Sequence, residues 1–215
     1  MSNVKKHFDL IAVNYDFYKK RNSFYYDNLK KLLVSSISPN NRVLEIGCGT
    51  GDLLAHLEPK KGYGMDISPY MIKLAKQKHP KLQFSTKIPK GKTWDYVFMC
   101  DVIEHLDNPQ KTFLEIRKTM NRKTVFICTM ANPIWELILL LAEKLGLKMP
   151  EGKHFRYDSK KTQKFFEEAG LHVVKHDYKL LFPKYVPLIS NLINKYLEPI
   201  FKKYAFIEYF VATRI

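Results

Sequence analysis

Apolar and polar residues alternate along the first part of the chain in a way that predicts strands and helices in turn. Continuous apolar runs predict buried strands at RVLEI, GYGMD, WDYVFMC and KTVFICTM, with a shorter strand at LQFSTK. Between them, apolar residues recur at helical spacing, and SPYMIKLAKQKHP begins with Ser68 as a cap and Pro69 at the first helical position. This alternation predicts an α/β fold with a Rossmann-like, doubly wound sheet that is mostly parallel.

The pattern changes after residue 131. NPIWELILLLAEKLGL predicts a helix with a wide apolar face, and SKKTQKFFEEAG predicts a helix capped by Ser159 and closed by Gly170. LHVVKHDYKLL and FIEYFVATRI predict strands, and LISNLINKYLEPIFKKY between them is amphipathic. We predict one domain over residues 1–215, with an N-terminal helical lid at 1–38 and a helical insertion on the substrate side at 131–170.

Composition adds charge to this picture. The 215 residues carry a formal net charge of +15, which favours polyanions such as nucleic acid, anionic lipid headgroups or a phosphorylated substrate. The alternative is a lysine-rich solvated surface. Three cysteines without CxxC spacing indicate buried thiols, so we predict a cytoplasmic protein. We also expect no signal peptide and no membrane span, since the apolar run LILLLA is far shorter than the roughly 20 residues required.

The stretch GCGTG is the first candidate for chemistry. Gly47, Gly49 and Gly51 follow a predicted strand and open a helix, and Asp66 ends the next strand. Glycines let backbone N–H groups approach a ligand that a Cβ would block, and an acid at that strand end can accept both hydroxyls of a ribose. A nucleoside-containing cofactor is therefore predicted, although the dinucleotide spacing GxGxxG is absent. The alternative is a tight turn beside a solvated carboxylate.

VLEIGCGTG, GYGMDISPYMIKLAK and WDYVFMCDVIEHLDNP together resemble the class I S-adenosylmethionine-dependent methyltransferases, including those of ubiquinone biosynthesis. The resemblance implies a seven-stranded sheet with an antiparallel last strand, and S-adenosylmethionine as cofactor with S-adenosylhomocysteine as product. It implies that the glycines line the methionine portion, that Asp66 binds the ribose, and that Asp101 and Val102 lie beside the methyl group. The implied cofactor residues are Glu45, Gly47, Cys48, Gly49, Thr50, Gly51, Asp66, Ile67, Asp101 and Val102. The acidic residue that family members often carry after the third strand is absent here, and we expect main-chain groups around Thr86 and Ile88 to meet the adenine in its place.

The segment CDVIEHL offers catalytic candidates at the end of the fourth strand. A hydroxyl acceptor must lose a proton, and histidine side chains ordinarily titrate near a pH of about 6.5. His105 is therefore the candidate base, with Glu104 and Asp101 beside it; the alternative for His105 is a purely structural role. The three residues also resemble the acids and histidine of ubiquinone O-methyltransferases, where a divalent metal is implied. We predict no metal, because Asp101 already has a role toward the cofactor.

The acceptor is less constrained by the sequence. Tyr15, in an aromatic N-terminal segment, and His154 are candidate substrate contacts. The C-terminal half resembles methyltransferases that occur alone or fused to glycosyltransferases, which implies a glycan-linked or lipid-linked acceptor. Residues 134–149 and 182–204 combine aromatic and apolar residues with lysines, so they could lie at an anionic membrane surface or pack on the sheet.

Two other functions are alternatives to methyl transfer onto a small-molecule or lipid-linked acceptor. A nucleic-acid methyltransferase is favoured only by the net charge. NPIW at 132–135 resembles the NPPY-like motif of nucleic-acid amino-methyltransferases, but there the motif follows the fourth strand, whereas here it follows the fifth. A non-catalytic nucleoside-binding module would not need both the glycine loop and DVIEH. We therefore predict methyl transfer, with oxygen favoured as the accepting atom.

Overall fold

The computed structural model describes residues 3–150 and 154–215. Strands and helices alternate as the apolar pattern predicts. In chain order they are α1 (Asn3–Ile11), α2 (Tyr15–Arg21), α3 (Ser23–Ser36), β1 (Arg42–Ile46), α4 (Asp52–His56), β2 (Lys61–Met65), α5 (Pro69–Lys78), β3 (Gln83–Ser85), β4 (Trp94–Cys100), α6 (Pro109–Arg117), β5 (Met120–Ala131), α7 (Glu136–Lys144), α8 (Ser159–Glu168), β6 (Leu171–Lys179), α9 (Ile189–Leu192) and β7 (Ile207–Arg214).

The strands form one seven-stranded sheet in the order β3-β2-β1-β4-β5-β7-β6. The first five strands of this order pair in parallel, and β7 pairs antiparallel with both of its neighbours. The mostly parallel sheet with an antiparallel last strand is thus confirmed. Because β2, β1 and β4 are adjacent and parallel, their carboxyl ends meet at one edge of the sheet.

Helices cover both faces of the sheet. Neighbouring residues of one strand serve opposite faces: Phe126 of β5 packs in one core cluster with Phe113 and Phe166, whereas Ile127 packs in the other with Leu29. Strands buried on both sides explain why the sequence shows continuous apolar runs there rather than strict alternation. α8 contributes Phe166 to the core, so this part of 131–170 packs on the sheet.

Two helix details follow from local capping. Ser68 Oγ accepts a hydrogen bond from Met71 N at 3.2 Å, with Pro69 at the first helical position, as predicted. The predicted cap Ser159 is wrong: Asp158 Oδ1 accepts from Lys161 N at 2.7 Å, and Ser159 is the first helical residue. Both side chains can cap a helix, and the carboxylate is also favoured by the helix dipole.

The amphipathic segment 188–204 is not one continuous helix. It consists of the short α9, a π-helical turn at Ile193–Leu197 and a 3-10 turn at Lys202–Tyr204. Asn194 Oδ1 accepts from Phe182 N at 2.7 Å, and Glu198 Oε2 accepts from Leu180 N at 2.6 Å, so side chains of this segment satisfy the backbone that follows β6. Pro199 cannot donate a helical hydrogen bond, which helps to end the helical geometry.

Candidate active site

The site begins where the backbone leaves β1. Gly47, Gly49 and Gly51 all adopt positive φ, at 74°, 51° and 83°. Gly47 N and Cys48 N both donate to Met65 O of the neighbouring strand, at 2.6 and 2.9 Å. These hydrogen bonds fix the glycine loop against the end of β2. The loop requires the left-handed backbone conformation at all three glycines, which only residues without a Cβ adopt at little cost.

Close neighbours give all three glycines a second reason to lack a side chain. A Cβ built on Gly47 would lie 2.3 Å from Val102 Cγ2, and one on Gly49 would lie 2.8 Å from Tyr15 Cε1. Both neighbours line the same cavity as the loop. Gly51 precedes α4, and a Cβ built on it would lie 2.7 Å from Phe84 Cζ, so its close neighbour is a core ring rather than a cavity residue.

A Gly47→Ala substitution should therefore lower the free energy of unfolding by about 3 kcal/mol, since a left-handed alanine costs about 1 kcal/mol and a clash with Val102 adds about 2 kcal/mol. Gly91→Ala is the matched control, because Gly91 has a φ of 68° but no atom within 4 Å of a built Cβ. Gly91→Ala should lower the free energy of unfolding by only the conformational cost of about 1 kcal/mol. Denaturant unfolding measures both, and Gly47→Ala/Val102→Ala should recover part of the loss. Equal losses for Gly47→Ala and Gly91→Ala would contradict the steric argument.

Asp66 connects the glycine loop to the next element. Its Oδ2 accepts from Gly49 N at 2.8 Å, and its Oδ1 accepts from Ser68 N at 2.9 Å. Burial raises the pKa of this carboxyl to about 6, although both backbone hydrogen bonds favour the ionised form. A buried carboxylate at a strand end, beside a cavity, is well suited to accept hydrogen bonds from ligand hydroxyls.

The N-terminal helices lie over the loop and are fixed to it by polar contacts. Thr50 Oγ1 donates to Asp16 Oδ1 at 2.6 Å, Lys19 Nζ contacts Asp52 Oδ2 at 3.1 Å, and Ser68 Oγ donates to Asp9 at 2.5 Å. Burial of Asp52 favours its neutral form, but Lys19, Lys78 and His79 outweigh this effect and hold the pKa of Asp52 well below the ordinary range. The N-terminal helices therefore contact the glycine loop and the residues that follow it.

The end of β4 presents the three catalytic candidates. Asp101 has a φ of 56° and accepts a hydrogen bond from Tyr25 Oη at 2.5 Å. Burial and this carboxylate raise the pKa of Tyr25 well above its ordinary value. Asp101 is thereby oriented by a residue from α3.

Glu104 and His105 follow in a 3-10 turn. Glu104 is buried, and its Oε1 lies 3.5 Å from Arg156 Nη1. The His105 ring lies edge-on to Phe8 with ring centroids 5.2 Å apart, and its centroid lies 6.4 Å from that of His154. These contacts hold the imidazole at the cavity wall.

One cavity of about 680 Å³ joins most of the predicted residues. Its wall includes Tyr15, Glu45, Gly47, Cys48, Gly49, Asp66, Ile67, Ile88, Asp101, Val102, Glu104 and His105. Four predicted site residues lie outside its lining. Thr50 is buried against Asp16, Gly51 packs on Phe84, Thr86 is exposed after β3, and His154 Nε2 lies 3.2 Å from Glu136 Oε1.

Residues that the sequence analysis did not assign complete the wall. The aromatic and apolar ones come from α3, from the turn and helix after β5 and from the chain between β6 and β7, and include Tyr25, Tyr26, Trp135, Ile138, Leu139, Phe182 and Phe206. The aromatic run FYY at 24–26 was the available signal for the first two. Charged side chains, among them Lys19, Lys111, Lys148 and Lys184, line the same cavity. Within residues 3–150 and 154–215, no group of three or more His, Cys, Asp or Glu could hold a metal ion.

Comparisons with known proteins agree with this geometry. A methyltransferase-domain family model matches residues 17–176. A ubiquinone/menaquinone biosynthesis C-methyltransferase of Geotalea daltonii is 31% identical over 204 residues, covering 90% of this chain and 75% of that protein. An uncharacterised Methanocaldococcus jannaschii protein is 30% identical over 134 residues, 60% of this chain and 52% of that protein.

A solved structure of a Thermotoga maritima S-adenosylmethionine-dependent methyltransferase superposes with a TM-score of 0.75 at 18% identity, covering 99% of this chain and 100% of that one. The chain spans about half the length, or less, of several curated relatives. The family match nevertheless extends over most of the chain and includes the glycine loop, Asp66 and His105. This chain therefore belongs to the methyltransferase-domain family, among the class I S-adenosylmethionine-dependent methyltransferases.

Proposed function

We propose that this chain transfers a methyl group from S-adenosylmethionine to an oxygen atom of a small-molecule or lipid-linked acceptor, with His105 as the base. The observation that supports the proposal is that the glycine loop, Asp66 and His105 line one cavity of about 680 Å³. A cavity of this size accommodates a cofactor and part of an acceptor. Methyl transfer from a sulfonium depends largely on positioning, which a shared cavity supplies.

The residues around the loop fit the cofactor. Asp66 would hold the ribose hydroxyls, and Gly47 and Gly49 would leave room for the methionine portion where any Cβ would collide with a neighbour. When bound, S-adenosylmethionine supplies an activated methyl group. The chain itself then has two tasks: to orient the acceptor and to remove its proton.

His105 is suited to the second task by its location. It lies in the cavity wall after β4, and Phe8 holds its ring edge-on. The neighbouring Glu104 is buried and contacts Arg156, so the carboxylate has a positive charge beside it within the fold. A hydroxyl acceptor in the cavity would give its proton to the imidazole as its oxygen attacks the methyl carbon, with the carbon–sulfur bond breaking and S-adenosylhomocysteine leaving.

The acceptor class is inferred from the rest of the wall. Trp135, Ile138, Leu139, Phe182 and Phe206 make much of the cavity wall apolar, and Lys148 and Lys184 also line it. An apolar acceptor suits such a wall, and the name of the Geotalea relative places that protein in quinone biosynthesis. A nucleic-acid acceptor is supported only by the net charge of +15.

Methyl-labelled S-adenosylmethionine, incubated with the protein and a crude cell extract, tests the acceptor class. We expect label to enter the organic phase on organic–aqueous partition, because an apolar wall selects an apolar acceptor. Reactions without protein and without extract are the controls. Label that stays in the aqueous phase and is released by nuclease would contradict the proposal and favour a nucleic-acid methyltransferase.

A further inference from the structure

Two apolar segments flank the cavity without being covered by the rest of the described structure. In α7, which has no buried residue, Leu137 is 79% exposed and Leu141 is 58% exposed. In residues 182–204, Leu188 is 79% exposed and Ile200 is 72% exposed. An apolar helix without a buried side is unusual in a water-soluble domain, because such a helix is normally stabilised by packing its apolar face.

The two segments are neighbours beside the cavity, where Trp135 Nε1 donates to Tyr204 O at 2.9 Å. Arg21 Nη2 donates to Gly146 O at 2.9 Å, just after α7, and Lys184 Nζ donates to Asn22 Oδ1 at 3.0 Å. Arg21 therefore contacts the first segment, and its neighbour in the chain, Asn22, contacts the second. Each segment also contributes to the cavity wall, Ile138 from the first and Phe182 from the second.

Charge accompanies the apolar residues in the second segment. Residues 182–204 contain four lysines and one acid, Glu198, whose carboxylate accepts a hydrogen bond from Leu180 N. Lys184, Lys195 and Lys203 are exposed beside the apolar side chains. Apolar side chains that enter the acyl boundary and lysines that meet acidic headgroups are the two contributions on which peripheral membrane binding depends.

We infer that residues 134–149 and 182–204 form a docking surface for an anionic lipid bilayer, with the mouth of the cavity facing the lipid. A lipid-linked acceptor could then enter from the bilayer along α7 without crossing water. This delivery rests on the proposed function, whereas binding to the bilayer does not. In the described part of the chain, no helix has the length and apolarity needed to cross a membrane, so the surface would lie in the headgroup layer.

Sedimentation with vesicles tests the docking surface without any turnover. We expect the protein to bind vesicles of phosphatidylcholine mixed with phosphatidylglycerol, and to bind phosphatidylcholine vesicles at least about tenfold more weakly, with added salt reducing the difference. Leu137→Glu/Leu188→Glu should weaken binding to the mixed vesicles by at least about tenfold, since two apolar side chains would be replaced by anions. Neither residue lines the cavity, so the double variant should still bind S-adenosylmethionine.

Val174→Glu is the matched control, because Val174 is 55% exposed on β6 and belongs to neither segment. It should bind the mixed vesicles as the unaltered protein does. Two results would overturn the inference: vesicle binding that Leu137→Glu/Leu188→Glu leaves unchanged, or a homodimer in light scattering that this double variant dissociates. The second result would assign the surface to another copy of the chain. If the protein binds vesicles as expected but the methyl label does not enter the organic phase, only the proposed acceptor is overturned.

Discussion

Asp66→Ala should weaken the binding of S-adenosylmethionine by at least about 100-fold. In the proposed complex the carboxylate accepts hydrogen bonds from the ribose hydroxyls, and hydrogen bonds to a charged group in a buried site are worth about 1.5–3 kcal/mol each. The same side chain holds Gly49 N and Ser68 N, so its removal also loosens the glycine loop. Isothermal titration with S-adenosylmethionine or S-adenosylhomocysteine measures the loss directly.

The pH dependence of binding gives a second readout of this carboxyl. Its pKa of about 6 means that lowering the pH through 6 protonates Asp66 before the ligand binds. An ionised carboxylate accepts hydrogen bonds at both oxygens, so affinity should fall below pH 6, approaching tenfold per pH unit. Asp66→Ala should lose this acidic decline together with most of its affinity.

The effect on folding has to be separated from the effect on binding. A carboxyl pKa raised by burial means that the ionised group opposes folding: its contribution to stability is present below a pH of about 4 and is lost as the pH rises through 6. Removing it at neutral pH relieves that cost, while the loss of two backbone hydrogen bonds opposes the gain. We therefore expect a folded variant, which thermal unfolding at neutral pH verifies.

Asp95→Ala is the matched control. Asp95 lies at the amino-terminal end of β4, away from the cavity, beside Arg42 at the start of β1. Arg42 Nη2 donates to Asp95 Oδ1 at 2.7 Å, and Arg42 Nε donates to Asp95 Oδ2 at 3.1 Å. The substitution removes the same chemical group without touching the cavity, so cofactor affinity should be unchanged. Asp66→Ala that binds as tightly as Asp95→Ala would contradict the assignment of Asp66 to the cofactor.

Much of the fold was predictable because it is encoded locally. Each parallel strand buried on two faces reads as an apolar run, and Asp66 and Asp101 are recognisable because each follows such a run directly. Once the strands are placed in parallel, their carboxyl ends must meet. The glycine loop and the two acids therefore come together in the sequence analysis without any knowledge of long-range contacts.

The remaining site contacts depend on packing between distant elements. Tyr25 reaches Asp101 across 76 positions, and no local pattern distinguishes it from the neighbouring Tyr26. Arg156 and Glu104 come together only when the chain after α7 folds back on the turn after β4. The hydroxyl of Thr50 donates to Asp16, 34 positions away in the chain. Each of these contacts requires a tertiary neighbour that the sequence does not identify.

His105→Ala should lower the turnover number by about 100-fold or more if the imidazole removes the acceptor proton, since general-base catalysis contributes about 10²–10⁴-fold. Cofactor affinity should change little, because Asp66 and the glycine loop are untouched. Transfer of labelled methyl groups into the acceptor fraction measures turnover, and titration with S-adenosylhomocysteine measures affinity. His172→Ala, at an exposed position on β6, is the matched control and should retain full turnover.

The pH profile distinguishes a base from a residue that only supports the fold. A base must be neutral to accept a proton, so the unaltered protein should lose turnover toward acidic pH even when the cofactor is saturating. In His105→Ala the residual turnover should lack this acidic decline, whereas loss of a structural contact would lower the rate at every pH and leave the profile unchanged. Phe8→Ala provides the corresponding test of positioning, because its ring holds the imidazole edge-on: it should lower the rate while the acidic decline persists. Full turnover in His105→Ala would assign the proton to another acceptor in the cavity and leave His105 with a packing role against Phe8 and His154.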